Sequence, residues 1–421
     1  MTKPAPVPLE EVDLSDLDAF ARNEGWGMFD TLRREDPVHW NAERDMGSGF
    51  WAVTRYEDIC TVDKDSETFT STKFVNLEEV DEELMDTRRS ILETDGPRHR
   101  ALRKLIQREF SAGNLIRNYE HFLRGLTIQT VDEALKTTEF DFVDKVSADF
   151  PIQVLARLLD VPSSDTDQLI DWGNQMVGNT DPDYTNYLIT DPDSDKYKHL
   201  PFRTPVVLDV FAYGRELARQ RKGGDGTDLV SMLINKLPED GQPLSETDFD
   251  NYFLLLVIAG NETTRHAISQ SMLALIENPD QLRKLQDEPS LIQSAVEELL
   301  RWASPVYHFR RTATRDVELG GKQIKEGDKV VMWFASGNRD DSVFDDPYRF
   351  DVTRTDVAHL TFGKGSPHLC LGNMLARMEI RLMFEELLPR LKSIELGGEV
   401  TRVRSNFVNG IKQFPVAVVP G

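Results

Sequence analysis

The sequence predicts a mainly α-helical protein with minor, segregated β-sheets. The clearest helix is predicted from Ser245 to about Glu277, and its run Tyr252–Ala259 is apolar on all sides, which is typical of a helix buried in a core. Residues 115–175 also have helical character, with polar residues at the predicted helix ends. Most of the predicted short strands, with glycine turns between them, lie after residue 317 and in the C-terminal tail.

The first quarter of the chain alternates between irregular and regular segments. About the first 25 residues are proline-rich and acidic, and they predict an extended arm. Phe50–Ile59 opens with aromatic and β-branched residues and predicts a strand that turns into a helix. Thr72–Arg89 is charged and lacks a clean period, which indicates a loop or a mobile segment, whereas Pro97–Phe110 is helical and basic.

The segment Asn179–Pro205 is rich in Asp, Pro, Tyr and Asn. A long irregular stretch inside a compact protein is more often functional than idle. The segment is therefore either a lid or entrance loop, or a solvated surface excursion.

The predicted central helix has a defined beginning. Ser245 is placed to act as its N-cap, with Asp248 in a capping-box position. About 32 residues at ~1.5 Å each give a length of roughly 48 Å, enough to cross the whole molecule. The elements predicted after it are a helix at Leu291–Trp302, strands at Val317–Leu319 and Val330–Phe334 with a turn at Gly320–Gly321, a helix at about Leu371–Leu391, and β structure at Ile394–Val419.

Composition excludes several classes of protein. The 421 residues carry 49 Lys and Arg against 72 Asp and Glu, a net charge of −23, which disfavours general nucleic-acid binding. Two cysteines, Cys60 and Cys370, cannot form a disulfide framework or an all-cysteine metal site. The N-terminus lacks the pattern of a signal peptide, and the longest apolar run, Phe253–Gly260, is shorter than the ~18–20 residues of a membrane span. We therefore expect a cytoplasmic protein that binds neither nucleic acid nor membrane.

Cys370 lies in a glycine-containing loop directly before a predicted helix. A thiolate there meets the positive end of the helix dipole and free N–H groups. Gly363, Gly365 and Gly372 allow the backbone to approach a flat ligand. The alternatives are a buried, inert cysteine and, more weakly, a phosphate loop that begins at Gly363.

The middle of the central helix carries Gly260, Glu262, Thr263 and Thr264. Glycine in a helix interior costs ~1 kcal/mol relative to alanine, and threonine can bond to the carbonyl one turn earlier. The pattern predicts either a small polar notch suited to a diatomic ligand and water, or a simple bend with a satisfied polar pair.

A third feature is the pair Glu298 and Arg301, which share one face of a predicted helix among apolar neighbours. Such pairs are common on helix surfaces, but here the apolar neighbours indicate burial. Arg349 and Arg354 are further along the chain and are candidates to join this network.

In this order and separation, the acid–threonine helix, the Glu-x-x-Arg pair and the cysteine loop resemble the cytochrome P450 haem-thiolate monooxygenases. The resemblance begins at about residue 28 and implies an N-terminal arm, 1–27, and a single haem-binding domain, 28–421. Residues 310–340 are similar to soluble bacterial members, especially alkane-, steroid- and lipid-hydroxylating branches. The implied fold encloses a haem between a long central helix and a cysteine-bearing loop.

The resemblance implies haem b as cofactor, with Cys370 as the axial ligand of its iron and Glu262 and Thr263 as the pair that relays protons to bound oxygen. Glu298 and Arg301 match the family's structural pair. The loop Phe362–Cys370 is one residue longer than the usual family pattern. The residues implied for cofactor binding are His99, Arg103, Ala259, Arg311, His368, Cys370 and Gly372.

The implied reaction inserts one oxygen atom from O2 into a C–H bond of a small hydrophobic substrate, such as an alkane, fatty acid, terpenoid, steroid or alkyl-aromatic compound. Apolar residues lie where family substrate pockets form; Tyr307 and His308 either add a polar contact or serve haem packing. A peroxide-driven enzyme and a non-catalytic haem-binding sensor are the alternatives. The predicted pocket residues are Leu255, Ile258, Val306, Phe309, Phe407 and Val408.

The chain contains no flavin, nicotinamide or iron–sulfur motif, so its electrons must come from another protein. We expect an iron–sulfur ferredoxin with its NAD(P)H-dependent reductase, or less readily a flavodoxin. A basic run in this acidic chain predicts the docking patch, the alternative being an ordinary solvated helix face. The residues of the predicted patch are Arg98, Arg100, Arg103, Lys104 and Arg108, with Lys364 nearby.

Overall fold

The computed structural model describes residues 3–43 and 47–421 and is mainly helical. Within these residues, no helix combines the length and apolar character that a membrane span requires. The α-helices are α1 (Leu17–Ala21), α2 (Gly25–Glu35), α3 (Tyr56–Lys64), α4 (Met85–Arg88), α5 (Gly96–Lys104), α6 (Ala112–Asn118), α7 (Glu120–Ala134), α8 (Asp149–Leu159), α9 (Thr166–Val177), α10 (Val206–Arg221), α11 (Leu229–Asn235), α12 (Glu246–Glu277), α13 (Pro279–Asp287), α14 (Ile292–Ala303), α15 (Phe334–Gly337) and α16 (Asn373–Leu387).

The strands form small sheets at the edges of the helical body. The largest has the order β1-β2-β8-β5-β3, with β2 and β8 parallel and its other neighbours antiparallel; β4-β12-β9, β10-β11 and β6-β7 form the others. The strands are β1 (Val38–Asn41), β2 (Phe50–Val53), β3 (Phe69–Thr70), β4 (Glu139–Asp141), β5 (His308–Ala313), β6 (Val317–Leu319), β7 (Lys322–Ile324), β8 (Lys329–Trp333), β9 (Leu391–Leu396), β10 (Thr401–Arg402), β11 (Ile411–Gln413) and β12 (Pro415–Pro420).

The central helix begins and ends where the sequence predicts. The Ser245 hydroxyl accepts a hydrogen bond from the Asp248 N–H at 3.0 Å, and the Asp248 carboxylate accepts one from the Ser245 N–H at 2.9 Å, which completes the capping box. Most of its residues are buried, and α8, α9, α10 and α14 pack around it. The mainly α-helical fold class with segregated sheets is confirmed.

The strand predictions are confirmed with small differences. Gly320 and Gly321 connect β6 and β7 with φ values of +55° and +77°, a conformation that favours glycine in a tight hairpin turn. The predicted strand Val330–Phe334 is β8, shifted by one residue because Phe334 begins α15. The three-residue β4 lies inside a region that was predicted as helical. The sequence does not reveal this strand because its pairing partner, β12, is distant along the chain.

The N-terminal segment differs from the extended arm predicted for it. Leu9–Glu11 forms a turn of 3-10 helix and α1 follows, while Leu14 and Phe20 are buried in a core shared with β2 and β8. The Leu14 N–H donates to Asn41 Oδ1 at 2.8 Å. Apolar side chains draw this segment onto the sheet, despite its proline and acid content. The domain boundary after residue 27 stays a prediction.

Glu298 and Arg301 form a fully buried ion pair on α14. Arg301 Nε and Nη2 lie 2.7 Å from the two Glu298 carboxylate oxygens, and both side chains have no exposed surface. Arg354 joins them, with its Nε 3.4 Å from Glu298 Oε2. The prediction for Arg349 is wrong: its side chain is 62% exposed and pairs with Asp351 at 3.3 Å, so water solvates it outside the network.

This network also positions the chain that leads to Cys370. Arg301 Nη1 donates to the Asn338 carbonyl at 2.8 Å. The Asn338 side chain in turn accepts from the Leu360 N–H at 2.7 Å and donates to Thr361 Oγ1 at 3.1 Å. The residues directly before the cysteine loop are thereby tied to α14.

Replacing Glu298 by Gln should lower the free energy of unfolding by about 3–5 kcal/mol, because Arg301 would be buried without a counter-charge. Urea unfolding followed by circular dichroism measures the change. Arg349→Ala is the matched control and should stay within about 0.5 kcal/mol, since its side chain is solvated. An equal loss of stability in both variants would contradict this assignment, in which Arg354 belongs to the network and Arg349 does not.

Candidate active site

The Cys370 loop is closed by backbone hydrogen bonds. The Cys370 N–H donates to the Phe362 carbonyl at 2.9 Å, and the Leu369 N–H donates to the Ser366 carbonyl at 3.1 Å. Gly363, with φ of +76°, supplies a conformation that other residues rarely adopt. The loop therefore presents Cys370 at the N-terminal end of α16.

The Cys370 thiol faces a large internal cavity, which we call the cysteine cavity. Burial among the surrounding atoms raises the pKa of the thiol, whereas the Gly372 N–H and the charges of Arg103 and Arg377 act in the opposite direction. Cys60 lies in a separate hydrophobic cluster beneath the five-stranded sheet. Of the two cysteines, Cys370 is thus the one placed to bind a ligand in this cavity.

Two arginines line the same cavity. Arg103 Nη2 donates to the Leu369 carbonyl at 2.6 Å, which joins α5 to the cysteine loop. Arg311 lies on β5, is buried, and pairs with Asp63 at 3.2 Å. Among the described residues, no carboxylate pairs with Arg103.

Two histidines complete this polar end of the cavity. The rings of His99 and His368 lie 4.1 Å apart, and His368 Nε2 lies 3.0 Å from Asp95 Oδ1. Burial lowers the pKa of His99 to about 4, and the charges of His368 and Arg103 add to the shift. Ser71 also donates to Asp95 at 2.6 Å. Asp63 and Asp95 were missed in the sequence because each is distant from the cation that it pairs with.

The opposite wall of the cavity is α12. Thr263 Oγ1 donates to the Ala259 carbonyl at 2.9 Å, and both residues line the cavity. Glu262 is 2% exposed and turns away, with its oxygens 3.4 Å from Arg265 and 3.3 Å from His266. Burial alone would raise the pKa of Glu262, but Arg265 and His266 together lower it. Because the two side chains point to different neighbours, the predicted relay stays a prediction.

A buried acid on α16 was missed in the sequence. Glu379 is 1% exposed and lines the cysteine cavity together with Thr264. Burial raises its pKa to about 8, although the Thr264 hydroxyl acts in the opposite direction. Its position between the apolar residues Met378 and Ile380 was the available signal, because a carboxyl group on a buried helix face is rare.

A second cavity, which we call the outer cavity, continues from the first. The two share the side chains of Leu255, Ala259, Thr263, Val306 and Phe309. It extends to the N-terminal segment and to the irregular segments that precede α5 and α10. All of the predicted pocket residues lie in its wall: Leu255, Ile258, Val306, Phe309, Phe407 and Val408.

Ion pairs at the outer cavity join the segment Thr72–Arg89, which was predicted as a loop but contains α4, to the segment Asn179–Pro205. Arg88 binds Glu78 through both terminal nitrogens, at 2.8 and 2.6 Å, and Arg203 Nε lies 2.7 Å from Glu78 Oε1. Glu78 and Arg88 are buried, while the neighbouring pair Asp81–Lys198 is exposed. The segments Thr72–Arg89 and Asn179–Pro205, both predicted as irregular, are therefore held to each other through Glu78.

The predicted docking patch needs a correction. Arg98 lies 3.1 Å from Asp240, and Lys104 lies 2.6 Å from Glu239, so acidic residues before α12 neutralise both. Arg103 lines the cysteine cavity and is only partly exposed. The sequence does not show these pairings because the partners are distant along the chain.

Arg100 and Arg108 are exposed and, among the described residues, no ion pair involves them. The Lys364 ammonium donates to the Tyr56 hydroxyl at 2.6 Å. A neutral hydroxyl does not cancel the Lys364 charge, so the basic residues of the predicted patch that have no carboxylate partner within the described ranges of the chain are Arg100, Arg108 and Lys364.

The cysteine cavity fits haem b by its chemistry. Its wall is mostly apolar, a thiol faces it on one side, and Thr263 and Gly260 lie in the opposite wall. Beside Gly372 the cavity is open, because a Cβ atom added there would have no neighbouring atom within 4 Å. At one end, Arg311 pairs with Asp63 and His368 with Asp95, while no carboxylate among the described residues pairs with Arg103 or His99, which leaves hydrogen-bond donors for the two propionates. All the residues predicted to bind the cofactor line this cavity.

Comparison with known proteins gives consistent results. The cytochrome P450 family model matches residues 43–414. Linalool 8-monooxygenase of Pseudomonas putida is 38% identical over 98% of this chain and 100% of its own length. A methyl-branched lipid omega-hydroxylase of Mycobacterium tuberculosis is 35% identical over 99% of this chain and 96% of its own length. A Mycobacterium marinum cytochrome P450 in complex with pseudoionone superposes with a TM-score of 0.87 at 34% identity, covering 99% of this chain and 100% of that one.

Replacing Glu78 by Gln should loosen the contact between the two irregular segments, because two arginines lose their shared carboxylate. Hydrogen–deuterium exchange should become faster in residues 72–89 and 192–203. Asp81→Asn is the matched control and should change exchange little, since the Asp81–Lys198 pair is exposed. Unchanged exchange in Glu78→Gln would show that packing alone holds the segments together.

Proposed function

The chain belongs to the cytochrome P450 family, and we propose that it hydroxylates a hydrophobic terpenoid or methyl-branched lipid with O2. It is an oxidoreductase of the monooxygenase type, and its cofactor is haem b with an axial cysteine thiolate. The balanced reaction joins one oxygen atom to a C–H carbon and reduces the other to water, with two electrons and two protons. The observation that carries the proposal is the cavity with Cys370 in one wall and Thr263 in the other.

Cys370 is our proposed ligand of the iron. When bound, haem b supplies the activation of O2, which no side chain of the protein can perform. The Gly372 N–H beside the sulfur and the positive end of α16 stabilise the thiolate form. Arg103 and Arg311 hold the propionates, and His99 and His368 add hydrogen bonds.

Thr263 would hold a proton at Oγ1 for O2 in the cavity, once its hydroxyl turns away from the Ala259 carbonyl to which it now donates. Glu262 would supply protons after leaving Arg265 and His266, which now hold it. The apolar wall of the outer cavity excludes water and orients the substrate. The preference for terpenoids and branched lipids is supported by the names of the similar proteins.

The electrons are proposed to come from an iron–sulfur ferredoxin with its NAD(P)H-dependent reductase. The docking surface includes the exposed Arg100 and Arg108 on the side of α5 and the loop that follows it. Arg103 joins α5 to Leu369, so an acidic partner bound there approaches the cysteine side of the cofactor.

Thr263→Ala should lower the ratio of product to NAD(P)H consumed by about tenfold or more, with peroxide released instead, because a proton donor is lost. Product analysis with a peroxide assay measures the ratio. Thr127→Ala is the matched control, since Thr127 makes the same bond to the carbonyl one turn earlier but lies on α7.

The other readings give different results in this experiment. A peroxide-driven enzyme would form product with peroxide alone, and Thr263→Ala would not change its yield. A sensor would form no product, either as the native protein or as the variant. The reduced carbon monoxide complex reports haem binding independently. Its red-shifted Soret band should persist in Thr263→Ala and disappear in Cys370→Ala.

Reversing the charges of Arg100 and Arg108 with Glu should slow reduction by ferredoxin by about tenfold at low ionic strength. The difference should shrink in high salt, because screening shortens the range of the attraction. Stopped-flow reduction measures the rate. A variant with Lys222→Glu and Lys236→Glu has the same net charge and should be reduced at the normal rate. Equal slowing in both would show that only net charge matters.

A further inference from the structure

Arg377 on α16 is a charged residue near the cysteine loop that the proposed chemistry does not use. Its Nε and Nη2 lie 2.7 and 2.9 Å from the two carboxylate oxygens of Glu297 on α14, so the ion pair is bidentate. The buried His359 contacts the same carboxylate, with its Nε2 3.1 Å from Glu297 Oε2. Burial alone would raise the pKa of Glu297, but His359 and Arg377 lower it to about 2. Both members of the pair therefore carry their charges at neutral pH.

The same guanidinium group is linked to both sides of Cys370. On one side, Arg377 Nη1 donates to Asn373 Oδ1 at 3.1 Å, and Asn373 Nδ2 donates to the Cys370 carbonyl at 2.6 Å. On the other side, the guanidinium carbon lies 4.6 Å from the centre of the Phe362 ring, and the Phe362 carbonyl accepts the hydrogen bond from the Cys370 N–H. One side chain thus contacts the two residues that bind the amide and the carbonyl of the cysteine.

The charge of Arg377 also acts on the sulfur. Burial raises the pKa of the Cys370 thiol, whereas the Gly372 N–H and the charges of Arg103 and Arg377 act to lower it, so a cation here favours the anionic thiolate. Reduction by the ferredoxin adds one electron, takes the iron from Fe3+ to Fe2+, and forms or breaks no bond. The site thereby gains one negative charge, and a nearby cation stabilises this more negative state.

Glu297 opposes the effect of Arg377 on the site. Its carboxylate is so close to the guanidinium that the two charges partly cancel at the iron. The side chains of Arg377 and Glu297 are 28% and 32% exposed, so solvent screens both charges in part. The guanidinium is the end of the pair that contacts Asn373 and Phe362, and we therefore expect its effect to exceed that of the carboxylate.

We propose that Arg377 is a positioning residue that holds the Cys370 peptide and raises the reduction potential of the haem, and that Glu297 is the counter-charge that limits this rise. This inference rests on the proposed role of Cys370 as the iron ligand and deepens it. Residues behind a metal ligand orient that ligand and tune the metal. The ion pair between α14 and α16 thereby sets how readily the ferredoxin delivers its electron. The alternative is an ion pair that only joins the two helices.

The test measures the reduction potential of the substrate-free, haem-loaded enzyme by spectroelectrochemical titration at fixed pH. Arg377→Met removes the charge and should lower the ratio of reduced to oxidised haem at a given applied potential by about fivefold. Glu297→Gln leaves the arginine without its counter-charge and should raise the same ratio by about threefold. Arg377→Lys keeps the charge and should remain closer to the native ratio than Arg377→Met.

Arg381→Met is the matched control. Arg381 lies one turn further along α16, its side chain is 21% exposed, and it forms ion pairs with Glu120 and Glu385 at 2.6 and 3.0 Å. Its replacement removes the same charge and should leave the ratio within about twofold of the native value, since these partners lie away from the cysteine loop. If Arg377→Met does not bind haem, Arg377→Gln replaces it, and the opposite shift in Glu297→Gln is measured in either case.

The signs of the shifts separate tuning from packing. An ion pair that only joins the helices would lower the melting temperature in Arg377→Met and Glu297→Gln, but the two potentials would move in the same direction or not at all, which overturns the proposal. Equal shifts in Arg377→Met and Arg381→Met would also overturn it, because position along α16 would then have no influence. Failure of the proposed function has a different result: the native reduced carbon monoxide complex would lack the red-shifted Soret band. A native enzyme that has this band, with unshifted potentials in the variants, contradicts this inference alone.

Discussion

The buried ion pair of Glu298 and Arg301 is the constraint on which the site depends. Arg301 has no exposed surface, so every one of its hydrogen bonds must be made inside the protein. It makes them to Glu298 and to the carbonyl groups of Asn338 and Pro347. Asn338 in turn binds the residues before the cysteine loop, which forms one wall of the cysteine cavity. Arg301 itself lies on α14, which packs on α12, the opposite wall. The Arg301 guanidinium group therefore links the elements that form the two walls.

Local sequence patterns predicted the scaffold well and the electrostatics poorly. Apolar periodicity and the capping residues Ser245 and Asp248 located α12, and Gly320–Gly321 located a hairpin, because these signals act within a few residues. The pairing of Glu262 with His266 was readable in principle from its helical spacing. The pairings of Arg98 with Asp240 and of Arg203 with Glu78 were not, because only the folded chain brings them together. The cofactor residues were found through family resemblance, not through spacing.

The two ends of the internal space have different physical characters. At the cysteine end, Arg103 and Arg311 line the cavity, and no carboxylate among the described residues pairs with Arg103, which favours an anionic ligand. At the outer end, Arg88 and Arg203 pair with Glu78, and Arg404 pairs with Asp18. The cysteine end is built from α5, β5, α12 and the cysteine loop, which hold Arg103, Arg311, Thr263 and Cys370. The outer end also includes the segments 72–89 and 179–205, which contain only short helical turns.

The cysteine loop has a consequence of its own. Its ends are fixed independently, by the Asn338 contacts before Phe362 and by the hydrogen bond from the Cys370 N–H to the Phe362 carbonyl. The residues between these anchors include the exposed Lys364 and Pro367 as well as His368, which lines the cysteine cavity. One short loop thus has a side in solvent and a side in the cavity wall, so a substitution at Lys364 or Pro367 alters the outer surface without changing a residue that lines the cavity.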